Sequence, residues 1–323
     1  EGVMRPIKQA IYLLLVILSL VSIGGCSEDM ESPLRVGTNP WPGYEPLFLA
    51  DAEAMYDSSH INFIEYPSPS GSVRAMINGS IEAAALTLDE ALKLLEYGVP
   101  IKVVLVTDIS DGGDAVLAQA GIQSVAQLQG KRVSLEPSVL AQYMLIRALQ
   151  KNGLTLEDVE VSNASVTEQV ALFKSKRVDA LVSYEPTRTH LINQGAQEIF
   201  SSKDLAGEIV DVVVVREDYL TSHPQQVQAL VDGWYQALSF FQNEQQRSLE
   251  ILSKRLKISP AEVLASFNGL HLPERQLTRH IMAGGHGSIQ ASAERLAKVM
   301  TQHGLLNDSI ETDALFYSEF VNH

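Results

Sequence analysis

The chain of 323 residues has a single cysteine, Cys26. No intramolecular disulfide is therefore possible. It has no CxxC, HExxH, GxSxG or P-loop signature either, so it carries none of the local marks of redox, zinc-hydrolase, serine-hydrolase or nucleotide chemistry. Its eight histidines are scattered without ligand spacing, which predicts neither a metal nor a cofactor. Basic residues are few: 24 Lys and Arg against 39 Asp and Glu, a net charge of −15. The longest basic clusters are "SKR" (175–177) and "SKRLK" (253–257). Nucleic acid is thereby excluded as a partner, since duplex binding needs a basic face. "AGGHGS" (283–288) suggests a phosphate loop but lacks the lysine and the preceding strand, and is expected to be a turn linking helices.

Long apolar runs are also scarce. "AIYLLLVILSLVSI" (10–23) is too short to span a bilayer comfortably, and Arg5 and Lys8 precede it. This is the pattern of an export signal. Met4 is the expected start, with Glu1–Val3 upstream of it. "IGGC" (23–26) resembles the lipobox of bacterial lipoproteins. That resemblance implies that residues 1–25 are a signal peptide and that Cys26 is lipid-modified. Residues 26–33 would then be a polar tether, holding the protein to a membrane in the cell envelope or periplasm.

What remains is long enough for two lobes, and the chain as a whole, 46% hydrophobic and 20% charged, has the composition of a folded globular protein. Strand-like and helix-like segments alternate up to about residue 217. "LRVGTN", "INFIEY", "EAAALT", "IKVVLVTD", "KRVSLE", "DALVSY" and "EIVDVVVVRED" read as strands. "LDEALKLLEYG" and "SVLAQYMLIRALQKNG" read as helices with a cap and a glycine stop. Beyond residue 217 only helices are expected, with Trp234 packed in the core. Alternation of this kind predicts α/β layers on an open, mainly parallel sheet. The apolar runs 101–108 and 209–215 flank the middle block and read as two crossover strands. They divide the chain into a first lobe, 34–111 with 212–323 and its helical C-terminal tail, and a second lobe, 112–211. A cleft between such lobes can close around something small.

In open α/β sheets, ligands sit beyond the carboxyl ends of the strands. The loops there are "TNPWPGYE", "PSPSGS", "TLDE", "DISDGGD", "EPS" and "YEP". Together they predict one polar pocket with an aromatic wall. Pro40 and Pro42 should hold Trp41 out of the core and against a ligand. Ser70, Ser72, Thr87 and Ser138 can equally serve as helix caps, and capped helix starts still offer N–H groups to an anion.

"VGTNPWPGYEPLFLA" (36–50), "GSVRAMINGSIEAAALTLDEAL", "LQGKRVSLEPSVLAQYML" and "VDALVSYEP" resemble, in order, segments of periplasmic solute-binding proteins of the nitrate/sulfonate/taurine and thiamine-pyrimidine group. The likeness spans roughly residues 34–240. It implies the two-lobed periplasmic-binding-protein fold (type II) and capture of a solute for an ABC permease by a monomer. A ligand-sensing lipoprotein reporting to a membrane kinase or cyclic-dinucleotide enzyme is the alternative. The enzyme branch of the group carries a Cys-rich iron motif, which a chain with one cysteine cannot have, so a non-enzyme is expected. Carried across, the cleft residues are Asn39, Trp41, Gly43, Ser70, Gly71, Ser72, Thr87, Asp108, Asp114, Glu136, Ser138, Tyr184, Glu185 and Asp211. None of these loops holds an arginine, whose fork suits nitrate or sulfonate. Asp108, Asp111, Asp114, Glu136, Glu185 and Asp211 favour an amine or a zwitterion, taurine-like or aminopyrimidine-like, over a bare anion.

Overall fold

The computed structural model describes residues 33–57, 59–284 and 288–322. The leader, Cys26 and the tether up to residue 32 lie outside them, as do residues 285–287 of the "AGGHGS" segment. The described helices on either side of that segment end at Met282 and begin at Ile289.

Two sheets organise the chain. The first contains β1 (Leu34–Thr38), β2 (Ile61–Glu65), β3 (Ala83–Thr87), β4 (Ile101–Ser110), β10 (Val210–Arg216) and β11 (Leu270–His271), in the order β11-β4-β10-β3-β1-β2. The second contains β5 (Asp114–Ala118), β6 (Arg132–Leu135), β7 (Glu160–Asn163), β8 (Ala180–Tyr184) and β9 (Gln197–Ser201), in the order β7-β6-β8-β5-β9. The chain leaves the first sheet after β4 and returns at β10. These two strands lie side by side and antiparallel in the first sheet.

The sheets are mixed, which corrects the expectation of mainly parallel ones. β1 pairs in parallel with β2 and β3, and β6 with β7 and β8. Every pair that β4, β5 and β10 make with another strand of the two sheets is antiparallel. The physical reason is the crossing itself. β4 and β10 carry the chain out of the first sheet and back, so they run opposite ways. Their unbroken apolar runs still announce burial on both faces, and β10 is buried along Val210–Val215.

β11 is a second correction, because no strand was expected after residue 217. It has two residues and pairs with Ile109 and Ser110. Two residues carry no period, so only tertiary pairing could show it. It also fastens the crossover. Gly269 O accepts the N–H groups of Asp111 (2.8 Å) and Gly113 (3.1 Å). Ser110 Oγ donates to Asp114 Oδ2 (2.6 Å), and Gly112 N donates to Ser202 Oγ (2.6 Å). Gly112 takes a left-handed φ of 114°, which a side chain would resist.

Helices cover the sheets. α1 (Glu45–Ala52), α2 (Pro69–Ile77), α3 (Leu88–Glu96) and α4 (Val139–Lys151) each follow a strand and start beside the space between the sheets. α5 (Val166–Lys174) and α6 (Thr187–Asn193) complete the second sheet's cover. α7 (Glu217–Ser222), α8 (Pro224–Asn243), α9 (Gln245–Leu256), α10 (Pro260–Ser266), α11 (Arg275–Met282) and α12 (Ile289–Gln302) form the helical C-terminal region. Pro224 begins α8, and Trp234 within it is fully buried. α8 packs on α1, so the tail reinforces the first sheet's layer.

Candidate functional site

The loop after β1 determines one wall. Pro42 opens a short 3₁₀ turn, Pro42–Tyr44, that runs into α1. The turn presents two aromatic side chains in succession. The Trp41 indole N–H donates to Asp108 Oδ2 (3.1 Å), and the Tyr44 hydroxyl donates to Asp211 Oδ1 (2.5 Å). Gly43 between them has no room for a side chain. A Cβ there would lie 1.9 Å from Asp108 Oδ2 and 2.5 Å from Trp41 Nε1. Trp41 is only 5% exposed and joins the main apolar cluster. The prolines therefore do not hold it out of the core. Instead its ring closes the cavity from the first-sheet side, edge-on to Tyr184 of the second at 6.2 Å between centroids.

The cavity is lined by Asn39, Trp41, Tyr44, Pro69, Thr87, Glu90 and Asp211 from the first sheet's elements, and by Asp114, Leu140 and Tyr184 from the second's. Its volume of about 20 Å³ is little more than one water needs. A larger guest must part the two sheets or move side chains.

Its charge is one-sided. Glu90, Asp114 and Asp211 line it, and none of its lining residues is Lys, Arg or His. Asp108 sits opposite Asp211 in the β4–β10 register, behind Trp41. Burial pushes the carboxyls of Asp108 and Asp114 up to about 7 each, and the charge of Asp114 adds to the rise at Asp108. Burial first, and then Asp108, holds Asp211 far above the usual carboxylate range. Glu90 is raised likewise by burial and by Asp89, itself pushed by burial to about 6. Asp108 Oδ1, Asp211 Oδ2 and Asn39 Oδ1 have no donor among the described residues. Buried acceptors in this state are satisfied by a proton or by a guest that brings donors.

The other expected residues fall around this centre. Thr87 lines the cavity and ends β3. Ser72 Oγ donates to Thr38 O (3.3 Å), and Gly71 packs on Tyr66, so neither faces the cavity. Ser70 Oγ donates across to Pro137 O (3.2 Å), and Ser138 caps α4 by accepting from Ala141 N (3.2 Å). Glu136 accepts from the Tyr184 hydroxyl (3.1 Å) and stands behind that ring. Glu185 is already neutralised. Arg188 donates to it at 2.8 Å, as does Thr189 Oγ1, and it lies outside the cavity. The absence of arginine from the loops thus missed one three residues further on. Asp111 is exposed at the crossover. Sequence reasoning also passed over Tyr44, Glu90, Pro69 and Leu140. Glu90 was legible only as a capping-box residue of α3, and its carboxylate does accept from Thr87 N (3.2 Å).

Two sheets with covering helices, joined by paired crossover strands and with a small carboxyl-lined cavity between them, define a protein of the periplasmic-binding-protein fold. The chain belongs to the NMT1-like family, which matches residues 28–253. An Escherichia coli (strain K12) relative, provisionally named an aliphatic sulfonates-binding protein, is 21% identical over 257 residues, 78% of this chain and 80% of its own. The alkanesulfonate-binding protein of Xanthomonas axonopodis pv. citri, solved bound to MOPS, superposes with a TM-score of 0.74 at 20% identity, covering 89% of this chain and 98% of that one. The desulfurization enzyme DszB, solved with biphenyl-2-sulfinic acid, superposes at 0.65 with 18% identity, covering 90% and 98%. The fold itself therefore serves both binders and an enzyme.

Proposed function

We propose that this protein is an extracytoplasmic solute-binding lipoprotein that captures a small amine or zwitterion between its two lobes and delivers it to an ABC importer. The observation that carries the ligand class is the ring of Glu90, Asp114 and Asp211 around one cavity whose lining has no basic residue. A guest ammonium would supply the missing donors and relieve the repulsion among these carboxyls. Against the faces of Trp41 or Tyr184 it would gain a further ~0.5–2 kcal/mol. The Xanthomonas neighbour was solved with MOPS, which carries an amine as well as a sulfonate.

Binding without turnover is part of the proposal. Among the described residues the cavity lining holds no cysteine. The lobes are taken as 34–111 with 212–323, and 112–211, so that Asn39, Trp41 and Thr87 face Asp114 and Tyr184 across the closure, with Asp211 at the returning boundary, on the strand β10 of the first sheet.

Thermal-shift and calorimetric titration against taurine, amino acids, polyamines, aminopyrimidines, nitrate and simple alkanesulfonates tests the ligand class. A cationic or zwitterionic member should stabilise the protein by roughly 2.7 kcal/mol at about 100 times its dissociation constant. Tight binding of the bare anions alone overturns it. The anchor is tested separately. Cys26→Ala should move the protein from the membrane pellet to the soluble fraction of expressing cells, and an unchanged distribution overturns lipidation.

A further inference from the structure

A second, larger space adjoins the acidic cavity. It has a volume of about 340 Å³ and lies between α2, α3, the start of α4 and the residues after α12. Glu90 lines both spaces. The partition is thin elsewhere too. Pro69 lines the cavity and Ser70 the groove, while Leu140 lines the cavity and Val139 the groove. The Ser70–Pro137 contact, from one lobe to the other, sits at this sill.

Unlike the cavity, the groove carries basic residues beside Glu90. Lys93 and Arg74 both line it. Lys93 is occupied: it pairs with Glu96 and donates to Leu305 O (2.8 Å). Arg74 is exposed and has no ion pair or side-chain hydrogen bond among the described residues. Ser138 and Val139 at the start of α4 also line the groove, and an α-helix leaves its first N–H groups without internal partners, of which that of Ala141 is held by Ser138.

We propose that this groove is a subsite for a carboxylate, sulfonate or phosphate, the anionic end of an extended zwitterion whose cationic end lies among Glu90, Asp114 and Asp211. The proposal rests on the amine class assigned above. The physical reason is charge separation across Glu90, which lines both spaces. An anionic group cannot share the cavity with three carboxyls. It must lie on the far side of Glu90, where Arg74 offers an unengaged planar fork that grips such groups through two hydrogen bonds. Arg74 is then a specificity residue that favours zwitterions over plain amines.

Calorimetry on the wild type, Arg74→Gln and Arg74→Lys with two matched probe pairs tests this. The pairs are propylamine with homotaurine, and hexylamine with aminocaproate. At least one zwitterion should bind about tenfold more tightly than its amine. Arg74→Gln should erase that margin and leave amine affinity unchanged, and Arg74→Lys should restore part of it. Equal loss for amine and zwitterion, or no loss for either, overturns the subsite while the amine class stands. Zwitterions and simple sulfonates that bind through Arg74 while no amine binds overturn the amine class and support the subsite. No binding by any zwitterion overturns the subsite, and the amine class falls with it when the amines fail to bind as well.

Discussion

Asp211→Asn should weaken binding of a cationic ligand by roughly 30-fold to several thousand-fold, because unpairing a buried charge costs about 2–5 kcal/mol. The amide still accepts from the Tyr44 hydroxyl, so the loss reports charge rather than shape. The ligand-free variant should be more stable than the wild type at neutral pH. A carboxyl whose value is higher in the fold than in the unfolded chain keeps a proton there that the unfolded chain has lost. Asp108 and Asp114 rise from 3.8 to about 7, so their contribution to stability is greatest below about pH 4 and is lost as pH climbs to about 7. Cation affinity runs the other way and increases across that window as the carboxyls ionise. Melting curves and titrations at pH 5 and pH 8 on both proteins check these signs. A variant that binds as the wild type does, or wild-type affinity that falls with rising pH, removes Asp211 from the ligand's surroundings.

Trp41→Ala should cost about 3–5 kcal/mol of stability and abolish ligand binding together. The indole is buried, it donates to Asp108, and its ring meets Tyr184. Its removal leaves the apolar cluster with a hole and Asp108 Oδ2 with only the 3.3 Å bond from Thr107. Trp41→Phe separates the two roles. It keeps a ring in the wall but drops the donor, at a cost of about 1–3 kcal/mol. Chemical denaturation measures the stability and calorimetry the binding. Trp41→Ala that binds normally would show that the ring is core alone. Trp41→Phe that binds normally assigns the ligand contact to the ring face.

Much of this architecture was written along the chain. Ile101–Asp108 and Val210–Val215 are near-continuous β-branched runs, and such runs are buried on both faces whichever way the neighbours point. Ser138 and Gly153 bracketed α4, and Thr87 with Glu90 opened α3, because caps act through residues a few positions apart. Direction was not legible. A strand's composition is the same in parallel and antiparallel pairing, and only the path of the chain between sheets sets the sense of β4 and β10. β11 was too short to carry a pattern at all.

The site divides along the same line. The sequence by itself determined that aromatic and acidic residues follow the strand ends, because strand, loop and cap chemistry is local. Only the tertiary structure decided which acids gather in and behind the cavity. Asp108 and Asp211 are 103 positions apart and meet as cross-strand neighbours, while Glu185, equally acidic in sequence, turns to Arg188 and leaves the group. Burial then gives the gathered carboxyls their character, for a carboxylate's cost depends on how much water and how many donors surround it, and neither is a property of the residue alone.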